Sequence, residues 1–525
     1  MARVRSDAAV TSTLVVSDAR LRPWLVAVLC LFPALTTPVL PLVDFYAHAL
    51  RYDILANVGR DPALAENYRT AWKLLPNLGL DLIGTALFRI LPALVAAQIL
   101  ALVIIAAPFA GTLVLARSLQ GRISPLSVAL AGILAQNFVL GWGFANFLLG
   151  LGLALAGLGL WISNQNAPRR QLLIAMPIGI AIFLTHGFVF AIWGLLLFLI
   201  EMAEGGSHRR PDLLHLARRA ARLLLIAVVP ACLFLVSDLS QGTGRVTDAF
   251  VNLAAHLREG SLAERLLDEV WFRADAALRV AETTWPVVDR LFGALLWGLL
   301  AFGLATGRLV LDRRLRFAVP VLVLLVVVTP PNLFGVGHLS ERLPLCLLAV
   351  LAAGLSGKAR DRRGQRVSRA LIALLPLHLL MVTLGWARDR ESYVQFLDVA
   401  ETLPPGGLGA AAFAEGAQTR DTQRSCKPLS FLLGLSRGMA VPTFANPTQQ
   451  PLAIIGPLAE ASAAYDEREA LTPGLAGTAQ VEALLLSGFK TVVLCQGAVS
   501  EITPVPGATA VAAGPGWTLY RALRI

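Results

Sequence analysis

Charge is what this chain has least of. Asp, Glu, Lys and Arg make up 15% of its 525 residues, where a soluble domain carries about 25%. Chemical signatures are missing as well. No Walker loop is present, which excludes ATP-driven transport by this chain alone. No HExxH and no cysteine–histidine zinc spacing occurs, and no GxSxG elbow marks a serine hydrolase. No apolar run carries a string of acids that would relay protons. The net charge of +11 is not arranged as a basic face with interleaved aromatics, so nucleic acid is not an expected partner. Cysteines number five. Cys30, Cys232 and Cys346 lie in apolar segments and read as packing residues. Cys426 and Cys495 lie near the C-terminus, as a disulfide if that region is outside the cytoplasm, or as two free buried thiols.

What is abundant is hydrophobic sequence, 56% of the chain, gathered into long runs. A bilayer core about 30 Å thick needs about 20 apolar helical residues. Runs at 23–40, 92–116, 126–140, 145–162, 172–185, 188–202, 223–236, 291–311, 317–329, 343–355 and 370–386 predict about eleven spans. No small-residue cleavage site follows the first, so it reads as a retained signal anchor. Arginine clusters fall at every second junction: Arg3, Arg5, Arg20 and Arg22; Arg117 and Arg122; Arg169 and Arg170; Arg209 to Arg222; Arg308 to Arg316; and Lys358 to Arg369. Placing all of them in the cytoplasm gives one consistent topology, with residues 1–22 inside and the C-terminus outside. The predicted fold is an α-helical polytopic membrane protein with a small C-terminal α/β domain. It divides into a transmembrane module at 23–386, with outer loops at 41–91 and 237–290, and a periplasmic domain at 387–525. Residues 262–278 repeat apolar positions at helical spacing and read as a helix along the membrane surface. In the tail, 391–403 and 481–487 read as helices, and 409–414, 453–455, 490–495 and 517–522 as strands. The acidic run at 465–469 reads as a solvated turn.

The first outer loop holds the most chemistry. Asp44, His48 and Arg51 share a face if a helix continues out of the membrane. A carboxylate there can take a proton from a hydroxyl, and cations can hold a departing phosphate. The bland reading is a solvated, locally paired face. Asn77 and Asp81 form a second i, i+4 pair. Asp81 sits in an apolar stretch and must face protein or a water-filled cavity, as a polar group of the same site or as a structural carboxylate tied to a neighbouring helix. His186, at a hairpin, and His338 and Arg342, at the outer end of the tenth span, are further candidates for that cavity. Arg342 offers a planar fork suited to phosphate, or a snorkelling anchor.

Architecture and motifs together resemble the GT-C membrane glycosyltransferases. The closer resemblance is to a proteobacterial group in which an Asp-x-x-x-His element follows the first span and a Leu-Pro-Asn-Leu-x-x-Asp element precedes the second. Here these are Asp44–His48 and Leu75–Asp81. The resemblance implies a glycosyltransferase of the inner membrane that takes sugar from a polyprenyl-phosphate donor. The donor's lipid lies between helices, and the outward-facing acceptor is a glycan, lipid or protein. Asp44 would be the base or the residue that orients the acceptor, with His48, and Arg51, Asn77, Asp81, His186, His338 and Arg342 would bind donor phosphate or substrate. Two departures stand out. Many members show two adjacent acids, whereas Phe45 follows Asp44. The extra acidic ligands of metal-dependent members are also not found, so no cofactor or divalent metal is expected. The rival readings are a transporter or flippase of lipid-linked glycan and a non-catalytic envelope assembly protein.

Overall fold

The computed structural model describes residues 22–205, 213–236, 262–332, 336–357, 361–417, 419–497 and 502–523. The expected cytoplasmic N-terminus before Arg22, Arg209 and Arg210, the first part of the middle loop (237–261), and Lys358 and Arg360 lie outside the described residues.

In chain order the helices are α1 (Pro23–Thr36), α2 (Phe45–Asn57), α3 (Pro62–Asn67), α4 (Gly79–Ile90), α5 (Ala93–Gln120), α6 (Pro125–Ala135), α7 (Phe138–Gly141), α8 (Ala145–Ser163), α9 (Pro168–Thr185), α10 (Gly187–Gly205), α11 (Leu213–Val236), α12 (Leu262–Leu278), α13 (Pro286–Ala305), α14 (Ala318–Val328), α15 (Leu339–Gly354), α16 (Arg362–Glu401), α17 (Arg420–Arg437), α18 (Gly456–Leu471) and α19 (Gly477–Leu486). Each of the eleven apolar runs contains a helix. Among the described residues six helices are long and apolar enough to cross a membrane: Ala93–Gln120, Ala145–Ser163, Gly187–Glu204, Ala217–Val236, Pro286–Ala305 and Arg362–Glu401. The chain is thus a mostly helical, multi-pass membrane protein.

The run at 126–140 is not one helix. Gln136 breaks it by donating to the Cys30 carbonyl at 2.8 Å, and Asn137 caps the next turn by accepting the Leu140 N–H. The centre of the bundle is α15, all of whose residues are buried, as expected of a helix that is apolar on every side beyond Arg342. Outer helices expose apolar faces instead, including Val287 and Leu291 of α13 and Leu324 and Val327 of α14. The middle-loop helix α12 forms as read, with Leu267, Val270 and Trp271 outward.

The strands are β1 (Tyr68–Thr70), β2 (Leu309–Leu311), β3 (Leu355–Gly357), β4 (Gly409–Phe413), β5 (Leu452–Ile454), β6 (Thr491–Cys495), β7 (Ala508–Gly514) and β8 (Trp517–Ala522). Four form the tail sheet in the order β4-β6-β8-β7, with β4 and β6 parallel and the other pairs antiparallel. Three tail elements differ from the sequence reading. The helix at 391–403 is the continuation of α16, because residues 387–390 contain no breaker. The acidic run at 465–469 lies in α18, not in a turn. The strand read at 453–455 pairs with β1 of the first outer loop rather than joining the tail sheet.

That pairing clamps the tail to the loop. Tyr68 donates its hydroxyl to the Val441 carbonyl at 2.7 Å, and Asn67 Oδ1 accepts the Leu458 N–H of α18 at 3.1 Å. At the opposite end of the bundle β2 pairs with β3, Arg314 donates to the Ser118 and Leu119 carbonyls, and Arg316 donates to the Ala203 carbonyl. The loop and the tail therefore share one end, and these arginines share the other.

Cys426 of α17 and Cys495 of β6 form a buried disulfide across 69 residues of sequence. Closing a loop of that length removes chain entropy worth about 4 kcal/mol. A Cys426→Ser/Cys495→Ser variant should lose about that much stability in the tail, read by pulse proteolysis of the full chain in urea.

Candidate functional site

α2 begins where the chain leaves the short helix α1. Asp44 stands at its start and donates its N–H to the Trp142 carbonyl at 3.0 Å. This seat requires Gly143, whose φ is +80° and on which a Cβ would lie 2.5 Å from the Phe45 nitrogen. Asp44 Oδ1 accepts a 2.8 Å hydrogen bond from Lys427 Nζ of α17. His48, one turn on, is partly buried, and its ring lies 4.8 Å from that of Phe444 in the tail. Its Nδ1 has no partner among the described residues. Desolvation, then the charges of Arg51 and Lys427, hold the imidazole well below its ordinary pKa of 6.5, so it is neutral near pH 7.

Arg51 turns the other way. Its Nε donates to Asp81 Oδ1 of α4 at 2.6 Å, with both side chains almost wholly buried. Burial pushes the Asp81 carboxyl up, and the Arg51 charge and hydrogen bond oppose that push. Of the two readings of Asp81, this contact matches the carboxylate tied to a neighbouring helix.

A second cluster lies beyond the Trp142–Phe144 turn. Arg342 of α15 donates Nη1–H to His186 Nε2 at 3.2 Å and lies over the rings of Phe144 (4.4 Å) and Phe147 (5.2 Å). Accepting at Nε2 puts the imidazole proton of His186 on Nδ1. His186 can sit there because it alone separates α9 from α10, in extended backbone. His338 packs its ring 4.6 Å from Trp142 and 5.4 Å from Phe144, with Nδ1 3.7 Å from Glu341. Asn77 enters from the loop before α4, where its carbonyl accepts from Asn146 Nδ2 at 3.3 Å. The start of α4 abuts the end of α9, because a Cβ on Gly79 would lie 2.9 Å from Thr185 Oγ1.

Two features mark this second cluster. His186 Nδ1 and Arg342 Nε are buried N–H donors without a partner among the described residues, and Asn77 Oδ1, Asn146 Oδ1 and Glu341 Oε2 are buried acceptors in the same condition. Buried polar groups are nearly always paired, so such a collection calls for water or a ligand. Asn77 (φ 76°) and His338 (φ 56°) are also the two non-glycine residues with positive φ among the described residues. Strain of this kind collects at functional sites.

Sequence reading thus named Asp44, His48, Asn77, His186, His338 and Arg342, which fold into two adjoining clusters, and Arg51 and Asp81, which pair beneath them. It missed Lys427, Phe444, Phe144, Phe147 and Asn146. Phe144 lies within residues 141–145, between two predicted spans, and Asn146 and Phe147 follow it, so a glycine-containing turn was the available signal. Lys427 and Phe444 carried none. Among the described residues no group of three or more His, Cys, Asp or Glu side chains is placed to hold a metal ion.

No family model matches the chain, and no curated protein does. Two solved structures resemble it. One is the Archaeoglobus fulgidus oligosaccharyltransferase tethered to an acceptor peptide containing the NVT sequon, at 12% identity and a TM-score of 0.39, over 90% of this chain and 69% of that one. The other is a mutant of the arabinofuranosyltransferase AftD from Mycobacteria, at 16% identity and a TM-score of 0.31, over 96% of this chain and 42% of that one.

Proposed function

We propose that the chain is a membrane glycosyltransferase that moves a sugar from a polyprenyl-phosphate donor to an acceptor outside the cytoplasm. The observation that carries the reading is the pair of unspent donors on His186 and Arg342, buried against aromatic rings that include Phe144, two residues from the Trp142 carbonyl that seats the partly exposed Asp44. In one step the acceptor oxygen bonds to the sugar's anomeric carbon and passes its proton to Asp44. The bond from that carbon to the phosphate oxygen breaks, and the released phosphate keeps the electron pair. His186 Nδ1–H and Arg342 Nε–H receive the phosphate, and donors that are worth little in water are worth far more in a dry site. Asn77, Asn146 and Glu341 offer acceptors to sugar hydroxyls. Attack from the Asp44 side, opposite the phosphate, inverts the anomeric centre. Arg51 and Asp81 seat α2 on α4. The disulfide, which belongs to an oxidising compartment, and the arginines at the far end support an outward-facing site.

The test is donor turnover. Purified chain in lipid is mixed with a panel of undecaprenyl-phosphate sugars and cell-envelope extract, beside Asp44→Asn. Donor consumed by the wild type alone is the expected result. Sugar crossing sealed vesicles with its bond to phosphate intact would instead make the chain a transporter.

His338→Gly gives a second check. Glycine adopts the left-handed conformation without the side-chain clash that histidine bears. The variant should melt no lower than wild type while turnover falls by about tenfold or more, the pattern of strain held for function.

A further inference from the structure

Lysine is rare here. The chain has four among 45 basic residues, and one of them meets the carboxylate at the mouth of the site. Lys427 reaches Asp44 across 383 positions of sequence, with side chains 31% and 14% exposed. Its backbone is held on both sides. The preceding residue, Cys426, is bonded to Cys495, and the following one, Pro428, lies inside α17. Proline disfavours helical backbone in the residue before it and removes a helix hydrogen bond. The chain thus keeps an unfavourable residue and a covalent staple around one side chain.

The chemistry of that side chain fits its place. An ammonium is a compact charge with three rotatable donors, where a guanidinium is a rigid fork. One N–H goes to Asp44 Oδ1, and among the described residues no hydrogen bond reaches Asp44 Oδ2. The same stretch of tail closes over His48, with Phe444 against its ring and Thr443 donating to the Ala47 carbonyl at 2.8 Å.

We infer that Lys427 is a positioning residue of the transfer site, supplied by the C-terminal domain: it holds Asp44 by Oδ1 and turns Oδ2 toward the acceptor hydroxyl. This rests on the transferase reading above. It makes the tail part of the active site rather than an attached binding module. It also explains why the loop and the tail are joined by a strand pair, since a lysine on a loosely tethered domain would not hold a carboxylate to the tolerance that proton transfer needs.

The experiment uses the full chain in lipid nanodiscs with an undecaprenyl-phosphate sugar that the wild type consumes, and compares Lys427→Met, Lys427→Arg, Thr443→Val and Asp44→Asn. Lys427→Met should lower kcat by about 10²-fold, the effect of misplacing a reacting group by about 1 Å, with the donor KM little changed. Lys427→Arg, which keeps the charge but not the compact head, should regain only part of that loss. Thr443→Val removes another tail-to-loop hydrogen bond without touching the carboxylate, and should keep the wild-type rate. Wild-type turnover in Lys427→Met beside a dead Asp44→Asn would overturn the role of Lys427 alone. So would equal losses in Lys427→Met and Thr443→Val with matching falls in melting temperature, because the lysine would then only staple two domains. Full turnover in Asp44→Asn would remove the transferase reading and this role with it.

Discussion

Asp44→Asn is expected to lower transfer by about 10³-fold, within the range of roughly 10² to 10⁴ for loss of a general base, in a chain that folds as the wild type does. The two effects separate because their magnitudes differ. A thousandfold loss is about 4 kcal/mol of barrier. The ion pair that Asp44 makes with Lys427 is open to solvent on the lysine side, and pairs of that kind contribute about 1 kcal/mol or less. Asparagine keeps an oxygen for Lys427, so part of even that remains. The backbone seat does not change, since the Asp44 N–H still meets the Trp142 carbonyl and Gly143 still allows the approach. Only proton acceptance is removed. His48 is neutral and one turn away, but Phe444 covers its ring and its open Nδ1 is buried, so it does not substitute. The measurement is the rate of donor consumption beside the melting temperature in the same lipid. A melting temperature several degrees below wild type would assign Asp44 to folding, and an unchanged rate would remove it from the chemistry.

How much of this was legible beforehand follows from the range of each interaction. Apolar runs are local features, so each of the eleven contains a helix, and six of those helices are long enough to span. Asp44 and His48 were legible because i, i+4 spacing is local. What the spacing did not reveal was that Arg51, on the next turn, leaves them for Asp81. The Asp81–Arg51 contact needs α4 to fold back on α2, and Lys427 needs the tail to close over the loop. Neither event has a local pattern. Secondary structure failed for the same reason where it failed. β7 is an alanine-rich strand, selected by its pairing with β8 and not by β-branched residues. α18 is polar around its acidic run, so no apolar stripe marked it as helix. β1 has three residues and exists because β5 lies beside it.

The pair beneath the site should show a large stability effect. Arg51 and Asp81 have side chains 1% and 3% exposed and lie 2.6 Å apart. Two charges in such a place offset each other's desolvation, and removing one leaves the other buried and unpaired. Asp81→Ala should therefore cost about 3–5 kcal/mol, well above the roughly 1 kcal/mol of an exposed pair. Arg51→Met should cost a similar amount. The double variant Arg51→Met/Asp81→Leu removes both charges and refills the space with apolar atoms, so it should recover most of the loss, as buried pairs replaced by hydrophobic residues generally do. The Arg51 guanidinium also lies 5.3 Å from the centre of the Tyr52 ring, a packing contact that methionine keeps in part. Denaturant unfolding of the wild type, Arg51→Met, Asp81→Leu and the double variant forms a double-mutant cycle, and a strongly non-additive result is expected. Donor turnover in the double variant then separates the two roles open to these residues. If the pair only seats α2 against α4, the refolded double variant turns over at close to the wild-type rate. If turnover is lost while stability is regained, Arg51 Nη1, which has no partner among the described residues, reaches the donor phosphate, and the anion site extends from Arg342 to the base of α2.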